Sequence, residues 1–182
     1  MTLTDTATSY GLISRLNHWL LAIVALAMLG AGLYFSGLPD GDEKSFWLGL
    51  HISTGALAFV LVVVRIVWRA LNRQTQPFPQ PRVFQVITNI VHGVLVLALL
   101  VMVITGPLTV WTKGFPVAPF GLFTIASPTG EMPQLHEALE QAHAFTAWIV
   151  IAALGLHVLG MAKHLVFERS ALMGRMVGNP QA

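Results

Sequence analysis

The chain has 182 residues, of which 55% are apolar and only 10% are charged, and its mean hydropathy is +0.71. Soluble domains carry about 25% charged residues, so this composition excludes a soluble globular protein. The net charge is +2, and the basic residues stand at the ends of apolar segments, which excludes a nucleic-acid-binding patch. Because cysteine is absent, the sequence also excludes disulfides, iron–sulfur sites and haem attached through C-x-x-C-H.

Four apolar segments are each close to the ~20 residues that an α-helix needs to cross a bilayer. They predict membrane spans over residues 14–35, 46–71, 83–111 and 135–166. The residues before the first segment lack the basic and apolar regions of a cleavable signal peptide, so that segment is expected to remain as a span. The sequence therefore predicts an all-α fold, a single integral membrane four-helix bundle over residues 1–182.

Two of the links between the spans have informative compositions. Gln74–Arg82 is rich in proline and glutamine, which predicts a stiff polar turn. Thr112–Pro133 is the longest link, and its prolines, glycines and phenylalanines predict that it folds over the outer face of the bundle.

Lysine and arginine are distributed unequally between the two sides of the predicted bundle. One side carries Arg15, Arg65, Arg69, Arg73, Arg82, Lys163, Arg169 and Arg175. The other side carries only Lys44 and Lys113, together with the acids Asp40, Asp42, Glu43 and Glu131. Because short cytoplasmic loops are enriched in Lys and Arg, both termini are predicted to be cytoplasmic.

Ionisable residues inside a membrane are costly, so the seven histidines mark a candidate functional site. The last span holds four of them, at spacings of seven, fourteen and seven residues: His136, His143, His157 and His164. Multiples of seven return to nearly the same helix face, so these side chains form one stripe. Fourteen residues correspond to ~21 Å along a helix, which places His143 near the outer surface and His157 near the cytoplasmic surface.

The first two spans supply a histidine at each of these depths. The first span enters from the cytoplasm, so His18 lies at the depth of His157, and the second enters from outside, so His51 lies at the depth of His143. Bis-imidazole ligation of haem needs two histidines that face each other from different helices at one depth. We therefore predict that these four histidines ligate two haem irons, one near each membrane surface.

Other residues at the two depths are candidates for contact with the cofactors. Gly32 and Gly106 stand fourteen residues beyond the histidines of the first and third spans, and glycine lets a flat group approach the backbone closely. Arg65 stands fourteen residues beyond the second-span histidine, where it either pairs with a haem propionate or snorkels to the surface. His92 either hydrogen-bonds across a helix interface or touches a propionate or a quinone.

The two remaining histidines, His136 and His164, stand near the ends of the last span. We predict that both lie at solvated helix ends.

The order and spacing of these motifs resemble those of the prokaryotic cytochrome b-561 family, four-helix membrane cytochromes that carry two b-type haems. The resemblance covers nearly the whole chain. Its motifs are Arg15-x-x-His18-Trp19, Leu50-His51-x-Ser53-x-Gly55, Val64-Arg65-x-x-Trp68-Arg69, His92 followed by Gly106, and His143 with Gly155-Leu156-His157.

The resemblance implies haem ligation by the four histidines that match the family's ligands, His18, His51, His143 and His157. It adds Arg15, from the motif that opens the first span, to the cofactor-binding residues. It also implies electron transfer in the bacterial inner membrane with ubiquinone as a partner, and superoxide as a proposed outer donor. That activity would be a superoxide:ubiquinone oxidoreductase.

The net acidic outer loops oppose an anionic donor, although Lys113 stands where the family tends to place a basic residue. An alternative is a cytochrome b subunit that anchors a membrane dehydrogenase or hydrogenase and docks an iron–sulfur redox partner protein. A transporter or structural protein without a cofactor is a third class, and it would give a colourless purified chain.

Overall fold

The computed structural model of the protein describes residues 2–72, 75–168 and 172–178. The predicted Arg73, Gln74 and Arg169 positions lie outside the described residues. The helices are α1 (Leu12–Ser36), α2 (Asp42–Leu71), α3 (Arg82–Thr112), α4 (Pro133–Ala162) and α5 (Leu172–Val177). A π-helical turn, Lys163–Phe167, continues α4, and one short 3₁₀ turn spans Pro119–Gly121.

The first four helices confirm the predicted all-α membrane bundle. Each is long and apolar enough to cross a membrane, counting α4 with its π-helical turn. Most of their ends lie one to four residues beyond the predicted boundaries. The largest difference is at α2, which begins at Asp42 rather than Phe46 because Asp42 and Glu43 occupy its first turn, where the helix dipole favours acids.

The helices pack as two pairs, α1 with α2 and α3 with α4, joined where α2 meets α3. A small buried cluster holds the centre of this interface and consists of Leu21, Ala58, Val62 and Val103. Among the described residues, α4 has no comparably close backbone packing against α1 or α2. The space between α4 and the first helix pair, where the backbones approach less closely, is here called the slot.

One end of the bundle, here called the terminal end, carries the described N-terminal segment, the α2–α3 link and α5. The N-terminal segment and the α2–α3 link meet where the Gln76 amide donates to the Ala7 carbonyl. The C-terminal helix folds onto them, since Arg175 donates to the Gln76 carbonyl at 2.9 Å and Trp19 donates to the Met176 carbonyl at 3.2 Å. The first and last described segments therefore lie at the same end, as an even number of spans requires.

The opposite end, here called the loop end, carries the α1–α2 turn and the long α3–α4 link. The long link folds back over α2, because the Phe120 amide donates to the Ser53 hydroxyl at 3.0 Å. Paired backbone bonds between Val117 and Ile125 close the link on itself. The link thus lies against the bundle, and the prediction that this face is the outer one stays a prediction.

Candidate functional site

Two imidazoles face each other across the slot near the loop end. His51 lies one turn after Trp47 in α2, and His143 lies in the first half of α4. Their ring centroids are 6.3 Å apart and their planes are inclined at 79°. Both side chains are half-buried.

A second pair faces across the slot near the terminal end. His18 of α1 and His157 of α4 have ring centroids 6.3 Å apart and planes inclined at 61°. The fourteen residues between the two α4 histidines separate the pairs by ~21 Å along the helix. The two predicted histidine couples are therefore brought together at two depths.

The spacing within each pair fits an iron between the rings. An imidazole nitrogen binds a first-row metal ion at about 2 Å, and that nitrogen lies about 1 Å from its ring centroid, so two imidazoles on opposite sides of one metal have centroids about 6 Å apart. Both observed separations match this value. A planar macrocycle such as haem leaves two axial positions open, which is the number of imidazoles in each pair.

The two predicted glycines lie against the loop-end rings. A methyl group on Gly32 would stand 3.4 Å from Cε1 of His51, and one on Gly106 would stand 3.6 Å from Cε1 of His143. Both glycines therefore let an imidazole ring pass directly along a neighbouring helix backbone. They lie beside the His51 and His143 rings, at the depth that their spacing predicts.

The terminal-end pair has two further predicted residues beside it. The His92 ring of α3 lies 5.2 Å from that of His157, centroid to centroid. Arg65 of α2 lies within electrostatic range of both His18 and His157. This end of the slot therefore gathers a guanidinium and three imidazoles.

Arg15 is almost fully buried rather than open to solvent, with 7% of its surface exposed. Its guanidinium lies against the backbone of Gly178, where even a methyl group would clash. The C-terminal segment thus covers the start of α1, one turn from His18.

The prediction for His164 is wrong. Its side chain is buried instead of solvated, because the α2–α3 link folds over it and places the Phe78 ring 5.8 Å away. His136 is half-buried, and its Nδ1 donates to the Thr109 carbonyl of α3 at 2.9 Å. Both helix ends are covered by neighbouring segments, which the stripe on α4 does not reveal.

Two residues near the histidine pairs were missed by sequence reasoning. The Thr105 hydroxyl of α3 lies 2.8 Å from Nδ1 of His143. Asn17 is buried beside His18 and donates from Nδ2 to the Leu61 carbonyl at 3.1 Å. Each is a polar residue in an apolar segment and directly precedes a predicted site residue, Gly106 or His18. That position was the sequence feature that could have identified them.

Charged groups outside the spans pair locally. At the loop end, a 2.9 Å hydrogen bond from Lys44 lowers the pKa of the Asp40 carboxyl below its usual value. At the terminal end, a hydrogen bond from Lys163 lowers the pKa of the Glu168 carboxyl, and His164 adds to this effect. Part of the positive charge at each end is therefore neutralised.

Four apolar helices with imidazoles facing across a slot define the class of membrane-embedded b-type cytochromes. The family model described as prokaryotic cytochrome b561 matches residues 9–179, so the chain belongs to the prokaryotic cytochrome b561 family. Cytochrome b561 homolog 2 of Escherichia coli (strain K12) is 28% identical to it over 98% of this chain and 96% of the relative. The protein is thus a multi-pass membrane cytochrome of the haem b type that takes part in electron transfer.

Proposed function

We propose that this chain binds two haems b and carries single electrons across the membrane between a donor on the outer side and ubiquinone. His51 and His143 ligate one iron at the loop end, and His18 and His157 ligate the other at the terminal end. The observation that carries the proposal is the pair of equal 6.3 Å separations between imidazoles of facing helices.

When bound, haem supplies one-electron redox chemistry. The four histidines would hold the two haems through their imidazole nitrogens, and haem held in this way would exchange electrons rather than bind oxygen. Gly32 and Gly106 leave room for the loop-end rings to turn into the slot. The protein's own contribution is therefore positioning and electrostatic tuning.

Basic groups at the terminal end suit the propionates of the second haem. Arg65 stands beside His18 and His157, where a charge-assisted hydrogen bond to a carboxylate is favourable. His92, next to His157, is a further donor for a propionate or a quinone carbonyl. Arg15 contributes a buried positive charge one turn before His18.

We place the terminal end in the cytoplasm and the chain in the bacterial inner membrane. The Lys and Arg residues concentrate near the terminal end, as the positive-inside rule requires of a cytoplasmic side. Electrons then enter at the loop end and leave to ubiquinone. Two one-electron centres suit this acceptor, because full reduction of a quinone takes two electrons.

Superoxide is the donor that we propose for the loop end. Lys44 is ion-paired with Asp40, so Lys113 at the end of α3 is the better placed of the two lysines to attract an anion. Because the outer loops are net acidic and repel an anion, binding of superoxide would depend on this local attraction by Lys113.

The test is haem quantification on the purified chain, with a reduced-minus-oxidised spectrum and a redox titration. We expect two haems per chain. Substitution of any ligand histidine by Ala should reduce the content to one or none, and the loop-end and terminal-end substitutions should remove different redox transitions. His136→Ala and His164→Ala are matched controls, because these imidazoles lie outside both pairs, and they should retain two haems. Undiminished haem content in all four ligand variants would reject the assignment.

A further inference from the structure

We infer that Thr105 is a positioning residue for the loop-end haem: its hydroxyl accepts a hydrogen bond from Nδ1 of His143, fixes the ring's tautomer and lowers the reduction potential of that centre. The inference rests on the proposed ligand role of His143. It concerns a residue of α3, a helix that supplies none of the four proposed ligands.

The direction of this hydrogen bond follows from the other contact of the hydroxyl. Thr105 Oγ1 lies 2.8 Å from the Val101 carbonyl oxygen in the preceding turn and 2.8 Å from Nδ1 of His143. A carbonyl oxygen can only accept, and a hydroxyl has a single hydrogen. Two oxygens 2.8 Å apart without a hydrogen between them repel, so the hydroxyl proton points to Val101. Nδ1 of His143 must then carry a proton and donate it to Oγ1.

This arrangement leaves the other ring nitrogen, Nε2, without a proton. A neutral imidazole has one protonated and one unprotonated nitrogen, and only the unprotonated nitrogen can bind a metal. Thr105 thus selects the tautomer of His143 that ligates through Nε2. Because Thr105 is buried, with 8% of its surface exposed, water competes little for the same hydrogen bond.

The local sequence of α3 makes the close approach possible. Gly106 follows Thr105, and even a methyl group there would stand 3.6 Å from Cε1 of His143, so a small residue at this position leaves room for the ring. Pro107 follows Gly106 and lacks an amide hydrogen, so the Val103 carbonyl loses its usual helical partner. The sequence Thr105-Gly106-Pro107 therefore places a hydroxyl group, a residue without a side chain and a missing backbone hydrogen bond next to the His143 imidazole.

The effect on the haem has a defined sign. An Nδ1–H group that donates to an oxygen makes the imidazole a more basic ligand, and a more basic ligand stabilises the higher oxidation state of the metal. Loss of the acceptor should therefore favour the reduced iron. Outer-shell partners of this kind also strengthen metal binding about 10–100-fold.

The test compares Thr105→Val, which replaces the hydroxyl by a methyl group, with Thr105→Ser, which restores it. In Thr105→Val, the ferrous-to-ferric ratio of the loop-end centre at a fixed potential should rise about threefold to tenfold, where tenfold corresponds to about 59 mV for one electron. The ferrous-to-ferric ratio of the terminal-end centre should not change. Haem should dissociate from the loop-end site about 10–100-fold faster, and Thr105→Ser should return both values to those of the unmodified protein.

Thr146→Val is the matched control. Thr146 is equally buried, lies one turn from His143 on α4, and its hydroxyl bonds only to the Ala142 carbonyl at 2.7 Å in the described structure. It should leave both redox transitions in place. An equal shift in Thr105→Val and Thr146→Val would show a packing effect and overturn the inference.

A measurement on the unmodified holoprotein covers the case in which Thr105→Val does not fold. In the reduced, diamagnetic state with ¹⁵N-labelled histidine, Nδ1 of His143 should show a slowly exchanging proton. A rapidly exchanging proton there would overturn the inference. Failure of the proposed function is distinguishable, because His143→Ala would then leave both redox transitions unchanged.

Discussion

Removal of the Asp5 carboxylate should destabilise the terminal end far more than removal of an exposed acid. Asp5 accepts from the Gly11 amide at 2.7 Å and from the Ser14 hydroxyl at 2.9 Å, and Ser14 in turn accepts from the Trp68 indole at 2.9 Å. The carboxylate therefore caps the start of α1 and ties it to α2. His18 lies one turn beyond Ser14, so this network also fixes the start of the helix that carries a proposed ligand.

The magnitude follows from the two hydrogen bonds. A bond to a charged group contributes about 1.5–3 kcal/mol, and a carboxylate at a helix N-terminus adds about 0.3–1 kcal/mol. Because contributions within one network are not additive, we expect Asp5→Ala to cost about 2–4 kcal/mol. For a chain of this size each kcal/mol lowers the unfolding temperature by about 2–4 °C, so a loss of about 4–16 °C is expected.

The assay is thermal unfolding of the detergent-solubilised protein at one fixed scan rate, followed by circular dichroism and by the haem Soret band. Asp40→Ala is the matched control, because its side chain is 97% exposed and its ion pair with Lys44 is a surface contact. It should leave the unfolding temperature unchanged. Asp5→Asn, which keeps one acceptor oxygen, should fall between the two. If Asp5→Ala unfolds no earlier than Asp40→Ala, the network does not anchor α1.

Three further perturbations test other parts of the structure. A methyl group on Gly106 would stand at ordinary contact distance from His143, so Gly106→Ala should keep both haems. Gly106→Leu should displace the His143 ring and lower the haem content to about one per chain, and two haems in this variant would contradict the prediction. The pKa of Glu168 is lowered mainly by Lys163, so its stabilisation is complete above its ordinary value of 4.5 and is lost as the pH falls through the lowered value. The difference in unfolding temperature between the unmodified protein and Glu168→Gln should therefore shrink in acid, and an unchanged difference would show that this pair is unimportant. Lys113→Glu should slow reduction by superoxide and reverse its dependence on ionic strength, because added salt then screens a repulsion instead of an attraction. Rates equal to those of the unmodified protein would count against an anionic donor.

The class of fold and the relative depths of the histidines follow from the amino-acid sequence alone. In lipid, backbone groups must be satisfied within their own segment, so a run of about 20 apolar residues dictates a helix whatever its neighbours are. The fixed rise of a helix then turns residue number into depth, which is why His143 and His157 are assigned to different levels without coordinates. The helix ends were less certain, since polar residues such as Asp42 extend α2 beyond its apolar run.

Which side chains meet at each depth depends on the packing of the helices. Depth is a property of one helix, whereas contact depends on how neighbouring helices rotate and tilt, and no single residue pattern encodes that. The 6.3 Å approach of paired imidazoles and the contact of Thr105 with His143 both arise in this way. The burial of His164 depends on a link from elsewhere in the chain folding over it, so its environment is set by Phe78 rather than by its own place on α4.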